Sequence, residues 1–184
     1  MKTILIANQK GGVGKTTIAD EIAFALERRG YSVCFTNIDP QGGAVHNPSM
    51  PDDKDDFQVV DTPGAISPDF QKWCRHSDII IMPTTPSMLD LIPLQRCYEL
   101  ARKSGTKAAI GFVVNNYDPR REVDRDFIEF LNNAKMPIWA TIPTATAVRK
   151  AQAARMSVEK FEKRSPAAAA FEEITEKTLK EIKK

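Results

Sequence analysis

Short apolar segments alternate with longer, helix-like segments along nearly the whole chain. The apolar segments span residues 2–7, 32–37, 57–60, 78–82, 108–114 and 137–141. Most of them are apolar throughout, which is typical of parallel strands covered on both faces. The alternation therefore predicts an α/β fold, with a doubly wound, mostly parallel sheet and helices on both faces.

Helices are predicted between and after these strands, at residues 15–29, 65–76, 88–104, 119–134, 148–162 and 166–182. Pro166 suits the first turn of the last helix, where a missing N–H costs nothing. The chain has 184 residues, contains no internal repeat and has no long linker. We therefore expect residues 1–184 to form a single domain.

Composition limits the classes of protein that need to be considered. The net charge is only +2, which does not by itself indicate a nucleic-acid-binding protein. The three cysteines are far apart, and no apolar run has the roughly 20 residues of a membrane helix. The chain begins without the pattern of a secretion signal, so a reduced, cytoplasmic protein is expected.

The segment between the first strand and the first helix is rich in glycine. Residues 10–17 read Lys-Gly-Gly-Val-Gly-Lys-Thr-Thr. A glycine turn that leads into a helix presents backbone N–H groups and the positive end of the helix dipole, which suits a phosphate chain. Lys15 is expected to reach the β- and γ-phosphates, and the Thr16 hydroxyl to bind Mg²⁺. The candidate nucleotide-binding residues are Gly11, Gly12, Val13, Gly14, Lys15, Thr16 and Thr17.

Two acidic residues follow predicted strands, at the edge where parallel sheets bind ligands. Asp39 follows the second strand and precedes Pro40, so a structural turn is an equally good interpretation from position alone. Asp61 follows the third strand and is expected to hold the Mg²⁺ shell. Together with Thr16, these two carboxylates are the candidate Mg²⁺ ligands.

The glycine-rich segment departs from the common phosphate-loop pattern, because Gln9 stands where a glycine is usual and an additional lysine, Lys10, follows it. In this form it resembles the deviant Walker A motif of the ParA/MinD ATPases. The resemblance implies a P-loop NTPase fold that binds ATP and Mg²⁺ and closes into a sandwich homodimer. It also implies that Lys10 acts on the partner's phosphates, while Lys15 acts within its own chain.

Further segments are similar to motifs of the same family. Residues 39–42, Asp-Pro-Gln-Gly, resemble the second ParA motif, which favours Asp39 as the catalytic residue. The family often has an acid where this chain has Asn37. The resemblance also implies a switch at residues 62–65, where Gly64 would approach the γ-phosphate. Residues 78–90 resemble the segment of small plasmid-type ParA proteins that carries a second switch and part of the dimer interface.

The nucleotide base is predicted from the end of the fifth strand. Asn115 and Asp118 have the spacing of the guanine-reading Asn-Lys-x-Asp motif, but Asn116 replaces its lysine. ATP is therefore favoured over GTP. Asn116 and Pro143 are the candidate neighbours of adenine.

A basic segment, residues 149–164, has six cations against two acids. Such a cluster suits non-specific, salt-sensitive DNA binding, and a solvated helix face explains the charges equally well. The family resemblance favours DNA, and it implies a nucleoid-associated ATPase with slow hydrolysis that a ParB-like partner protein stimulates to position a plasmid, chromosome region or other cargo. The candidate DNA-binding residues are Arg149, Lys150, Arg155, Lys160, Lys163 and Arg164.

Two alternatives remain open. A MinD-like membrane-associated ATPase would need an amphipathic C-terminal tail with a strong apolar face, and residues 171–184 have only a thin one. No stable membrane association is therefore expected. A small-molecule ATP-dependent enzyme on the same scaffold would need a second constellation of acids, histidines or cysteines, which the sequence does not suggest.

Overall fold

Six parallel strands form one sheet in the order β2-β3-β1-β4-β5-β6. The computed structural model describes residues 1–39, 42–64 and 68–184. The strands are β1 Lys2–Ile6, β2 Val33–Asn37, β3 Phe57–Asp61, β4 Ile79–Thr84, β5 Ala109–Tyr117 and β6 Ile138–Pro143. The helices are α1 Lys15–Arg28, α2 Phe70–His76, α3 Met88–Lys103, α4 Glu122–Asn133, α5 Thr146–Ala153, α6 Val158–Phe161 and α7 Pro166–Ile182.

Helices cover both faces of the sheet, because successive residues of each strand point to opposite sides. In β1, Ile4 and Ile6 pack in one apolar cluster with α1, α5 and α7, whereas Leu5 packs in a second cluster with α2, α3 and α4. Side chains of β1 in both clusters are fully buried. The predicted doubly wound α/β fold is confirmed.

The position of β1 determines where a ligand can bind. β1 lies between β3 and β4, so the chain first builds one side of the sheet and then crosses to the other. At such a crossing point, the loops after the strands separate and leave a crevice at the carboxyl end of the sheet. β1, β2 and β3 all end at this edge, and the loops that follow them begin there.

The predicted helix over residues 148–162 is wrong, because two helices, α5 and α6, replace it. Arg155 has a left-handed backbone with φ 52°, which ends the first helix. The Ser157 hydroxyl then accepts the N–H of Lys160 (3.2 Å) and caps the second helix. The alanine-rich composition around this break favours a helix and gave no sign of the interruption.

Two smaller differences concern the ends of elements. The helix predicted from residue 65 begins at Phe70 instead, and residues 65–67 of that prediction lie outside the described residues. The fifth strand continues to Tyr117, with a bulge at Asn116 where φ is 59°. Asparagine tolerates this left-handed conformation better than most residues, which allows the irregularity.

The last predicted helix is confirmed from Pro166 to Ile182. Its buried residues include Phe171 and Ile174, which pack in the same cluster as α1. Cys34, Cys74 and Cys97 are all buried and form no disulfide. In the described ranges, no helix combines the length and apolarity needed to cross a bilayer.

Candidate functional site

The loop between β1 and α1, residues 7–14, is held in place by a buried asparagine. The Asn8 side-chain carbonyl accepts the N–H of Lys10 (3.0 Å), and its amide group donates to the Pro83 carbonyl (2.6 Å). Asn8 is only 2% exposed. It therefore ties the start of the loop to the end of β4. Sequence reasoning did not single out Asn8, because an asparagine after a strand is also an ordinary turn residue.

Gly14 is needed where the loop enters α1. Its backbone has φ 94°, and an added Cβ would lie 2.4 Å from the amide nitrogen of Asn115. The side-chain amide of Asn115 donates to the Val13 carbonyl (3.1 Å), so this hydrogen bond from β5 holds the loop in place. Val13 itself is buried in the core and contributes its backbone to the loop.

The loop after β3 lies directly against the glycine-rich loop. An added Cβ on Gly64 would lie 3.1 Å from the Cα of Gly11, tighter than most real contacts. Gly64 thus permits the close approach that the predicted switch at residues 62–65 requires, although Ala65 of that segment lies outside the described residues. The Thr62 hydroxyl donates to the Ile6 carbonyl (2.8 Å) and fixes the start of the segment.

These loops enclose a cavity of about 310 Å³ at the N-terminus of α1. Backbone N–H groups of the first helical turn have no partner within a helix, and the helix dipole places positive potential at the same point. The cavity can therefore hold an anion such as a phosphate chain. Its lining residues are Gly11, Gly12, Gly14, Lys15, Thr16, Thr17, Asp39 and Gly64.

Lys15 is buried at the base of this cavity, with 6% of its surface exposed. Its ammonium group donates to the Lys10 carbonyl (3.0 Å). Burial lowers the pKa of Lys15, while the nearby carboxylates of Asp61 and Asp39 oppose that change. A buried cation with two acids nearby forms the charged base of a phosphate site.

Asp61 lies at the end of β3 and is fully buried. Within residues 1–39, 42–64 and 68–184, neither of its carboxylate oxygens has a hydrogen-bond partner of normal geometry. Burial raises the pKa of Asp61 to about 6, although the Thr16 hydroxyl and the Lys15 ammonium favour the ionised form. A buried carboxylate without partners is costly unless a cation or water satisfies it. Hard oxygen ligands of this kind fit Mg²⁺.

Asp39 lines the same cavity from the end of β2. Its N–H donates to the side-chain carbonyl of Asn37 (2.8 Å), and its carbonyl accepts the N–H of Gly42 (3.1 Å). Asn37 therefore orders the backbone that presents Asp39. Pro40 and Gln41, the centre of the predicted Asp-Pro-Gln-Gly motif, lie outside the described residues.

Lys10 differs from Lys15 in exposure and in partner. Its ammonium group lies 3.7 Å from the Asp90 carboxylate, and 45% of its side chain is exposed. The Asp90 side chain is only 7% exposed and accepts a hydrogen bond from the Thr85 hydroxyl. The structure thus gives Asp90 a role at the site that sequence reasoning did not assign. The signal was weak, because an acid in the first turn of a helix is common.

The two predicted neighbours of adenine lie beside the site. Pro143 lines a separate cavity of about 270 Å³ with Tyr117 and Thr144. Asn116 is exposed, and its carbonyl accepts the Thr144 hydroxyl (3.2 Å). Their contact with a base stays a prediction.

The Asp118 carboxylate, which a guanine reader would use, is instead held by the guanidinium of Arg120 at 2.8 and 2.9 Å. This hydrogen bonding holds the pKa of Asp118 well below its usual range.

All six cations of the basic segment are exposed. Arg155 also donates to the Val45 carbonyl (3.0 Å), and Lys163 lies 3.7 Å from the Glu159 carboxylate. The segment therefore forms a positively charged surface on α5, α6 and the turns that follow each helix. DNA contact by these residues stays a prediction.

A buried lysine and a buried aspartate are surrounded by a strand, a glycine-rich loop and a helix. This arrangement defines a P-loop nucleotide-binding domain. The chain matches the family model of the CobQ/CobB/MinD/ParA nucleotide binding domain over residues 4–158. It belongs to this family, and its resemblance to ParA/MinD-type ATPases is confirmed.

Individual relatives agree with this assignment. The maintenance of carboxysome distribution protein A of Halothiobacillus neapolitanus is 30% identical over 177 residues, which cover 79% of this chain and 81% of that protein. The chromosome-partitioning ATPase Soj of Thermus thermophilus is 52% identical over 45 residues, 24% of this chain and 18% of that protein. The solved complex of Cyanothece McdA, an aspartate-to-alanine variant, with ATP has a TM-score of 0.79 at 15% identity, and the match covers 99% of this chain and 96% of that one.

Proposed function

We propose that the chain binds ATP with Mg²⁺ in the cavity at the N-terminus of α1 and hydrolyses it between two copies of the chain. The observation that carries this proposal is that the Lys15 ammonium, which is bonded to the Lys10 carbonyl of the glycine-rich loop, interacts electrostatically with the buried Asp61 carboxylate. In the part of the chain that the structure describes, neither oxygen of this fully buried carboxylate has a hydrogen bond of normal geometry, which is a cost to the fold. Such a cost is understandable where a ligand compensates for it.

Each residue of the cavity has a distinct task in this proposal. The N–H groups of the glycine-rich loop and the Lys15 ammonium bind the phosphate oxygens, as their position at the helix N-terminus favours. Thr16 and Asp61 hold Mg²⁺, which neutralises charge on the β- and γ-phosphates. Asp39, which also lines the cavity, orients the attacking water.

Lys10 is proposed to act on the nucleotide of the partner subunit. Within its own chain it is paired with Asp90 at 3.7 Å, and nearly half of its side chain remains exposed. The 3.7 Å separation is longer than a hydrogen bond, so the Lys10 ammonium is not locked to Asp90. A second ammonium group beside the γ-phosphate would stabilise the charge that develops during phosphoryl transfer.

The biological role that we propose is ATP-dependent positioning of a plasmid, a chromosome region or another cargo on nucleoid DNA. It is supported by family membership, by relatives named for chromosome partitioning and for carboxysome distribution, and by the exposed basic segment. We expect slow hydrolysis that a ParB-like partner protein stimulates. The chain would then be cytoplasmic and associated with the nucleoid.

The membrane-associated alternative is less well supported. Membrane attachment through the C-terminal helix would need its apolar face to be free. In α7 that face is buried in the core, where Phe171, Ile174 and Thr178 have 4%, 0% and 0% of their surface exposed. Undocking this helix would expose a large part of the core.

Binding to non-specific DNA and to anionic vesicles, each with ATP, ADP or no nucleotide over a salt series, tests this proposal. We expect ATP-dependent DNA binding that weakens with salt. Lys150→Ala should reduce the salt slope by about one ion, while Lys103→Ala, an exposed lysine on α3 at the other face of the sheet, should not. Vesicle binding without DNA binding would contradict the proposal.

A further inference from the structure

Two side chains from the basic segment form hydrogen bonds to residues outside it, and one of those residues, Thr17, lines the nucleotide cavity. The Gln152 amide group donates to the Thr17 hydroxyl at 2.7 Å. The Arg155 guanidinium donates to the Val45 carbonyl at 3.0 Å. Gln152 lies on α5, and Arg155 lies in the turn that follows it. The segment that presents six exposed cations is therefore connected to the cavity through the hydrogen bond from Gln152 to Thr17.

The hydrogen bond from Gln152 to Thr17 determines where the Thr17 proton can point. A threonine hydroxyl has one proton and two acceptor positions. Because the Thr17 oxygen already accepts from Gln152, its own proton is available for another acceptor. Thr17 lines the cavity, so an anion held there would offer an oxygen as that acceptor. A chain of donors from Gln152 through Thr17 to an anion polarises each bond in turn and strengthens it.

A movement of Gln152 would change the orientation of α5. Ala147 and Ala151 are buried against the core, so small side chains hold the inner face of the helix. Arg149 and Lys150 lie on its exposed face. The helix has only eight residues, so a change in its orientation at Gln152 moves both cations together.

Arg155 connects the same region to the loop after β2. The N–H of Val45 donates to the Asp20 carboxylate (2.8 Å), which anchors this loop to α1. The adjacent His46 also donates its N–H to Asp20 (3.0 Å). The Val45 backbone that Arg155 binds is thus also held by the Asp20 carboxylate, and Val45 lies six positions after Asp39 in the sequence.

We propose that Gln152 is a positioning residue that couples anion occupancy of the cavity to the orientation of α5 and of the cations it carries. This inference rests on the proposed function, in which the anion is the triphosphate of ATP. The coupling is reciprocal, so nucleotide and DNA strengthen each other's binding by the same factor. In this proposal, Gln152 is the residue through which the bound nucleotide and DNA change each other's affinity.

Hydrogen–deuterium exchange of residues 146–153 tests the coupling without DNA. We compare wild type, Gln152→Ala and Gln95→Ala, whose glutamine is exposed on α3, with and without a magnesium complex of a non-hydrolysable ATP analogue. Wild type and Gln95→Ala should show several-fold slower exchange when the analogue binds. Gln152→Ala should still bind the analogue but lose this protection. Equal protection in Gln152→Ala, or none in analogue-bound wild type, would overturn the inference.

Gln152→Glu distinguishes coupling from a general structural role. It preserves the shape of the side chain but replaces the donor with an acceptor, which draws the Thr17 proton away from the anion. We expect weaker analogue binding in Gln152→Glu than in Gln152→Ala, at unchanged thermal stability. The opposite order would contradict the proposed direction of the bond.

Calorimetric titration of the same samples separates the two proposals. If wild type does not bind the analogue, the proposed function fails and the inference fails with it. If wild type binds the analogue but not DNA, the proposed role on DNA fails, while the exchange of residues 146–153 still decides whether Gln152 couples the cavity to α5.

Discussion

Replacing Asp61 by asparagine should stabilise the nucleotide-free protein while abolishing its response to Mg²⁺ and nucleotide. The carboxylate is fully buried and no hydrogen bond of normal geometry satisfies either oxygen within the described part of the chain. Burial raises its pKa from 3.8 to about 6. The side chain therefore opposes folding when it is ionised, and a neutral amide of the same shape removes that cost.

The pKa shift gives the magnitude. Each pKa unit corresponds to about 1.4 kcal/mol, so the ionised carboxylate costs about 3 kcal/mol. Since the folded state binds more protons than the unfolded state between pH 3.8 and about 6, stability falls as the pH rises through this window. Above this pH window the carboxylate is ionised, and its full cost to stability applies. The N–H groups of the buried asparagine amide would lack an acceptor, which costs about 1 to 2 kcal/mol. The substitution should therefore raise the free energy of unfolding by a net amount of about 1 to 2 kcal/mol.

Urea denaturation with EDTA at pH 7.5 and at pH 4.5 measures this effect. Asp61→Asn should be more stable than wild type at pH 7.5, and the difference should shrink at pH 4.5. The control is Asp53→Asn, in which an exposed aspartate undergoes the same chemical change. In a parallel series without EDTA, a saturating Mg²⁺–ADP complex, at about a hundred times its Kd, should stabilise wild type by about 2.7 kcal/mol and leave Asp61→Asn nearly unchanged. A destabilised variant at both pH values would refute the reasoning.

Two further predictions concern stability. Gly111→Ala should lower the free energy of unfolding by about 1 to 3 kcal/mol, because the added Cβ would lie 2.0 Å from the Trp139 ring. Urea denaturation measures this change, and an unchanged free energy of unfolding would show that the contact relaxes freely. Burial raises the pKa of Glu21 to about 7, so wild-type stability should fall as the pH rises from about 4.5 to 7. Glu21→Gln, which keeps an acceptor for the Val158 N–H, should flatten that dependence, and unchanged curvature would contradict the assignment.

The architecture was predictable because buried parallel strands are apolar on both faces, as in β1 and β4. The break between α5 and α6 was not, because a left-handed Arg155 has no sequence signature. The sequence around it consists of good helix formers, and the cap at Ser157 is recognisable only after the break is known. Local propensity favoured one helix, and the interactions of the folded chain overrode it.

The cavity itself was predictable from the order of strand, glycine-rich loop and helix, which brought Lys15, Thr16 and Asp39 to one place. Its supports were not predictable. Asn8 and Asn115 each support the loop through a hydrogen bond to a distant residue, to Pro83, 75 positions away, and to Val13, 102 positions away. Such contacts depend on the strand order of the sheet, and that order cannot be read from spacing.

Mixed complementation tests most directly the claim that ATP is hydrolysed between two copies of the chain. Lys10→Ala retains the phosphate-binding Lys15, and Lys15→Ala retains the exposed Lys10. Each variant alone should be nearly inactive. A 1:1 mixture should recover ATP hydrolysis, because a mixed dimer contains one complete site with Lys15 from one subunit and Lys10 from the other. A mixture no more active than its components would contradict the proposed sandwich dimer.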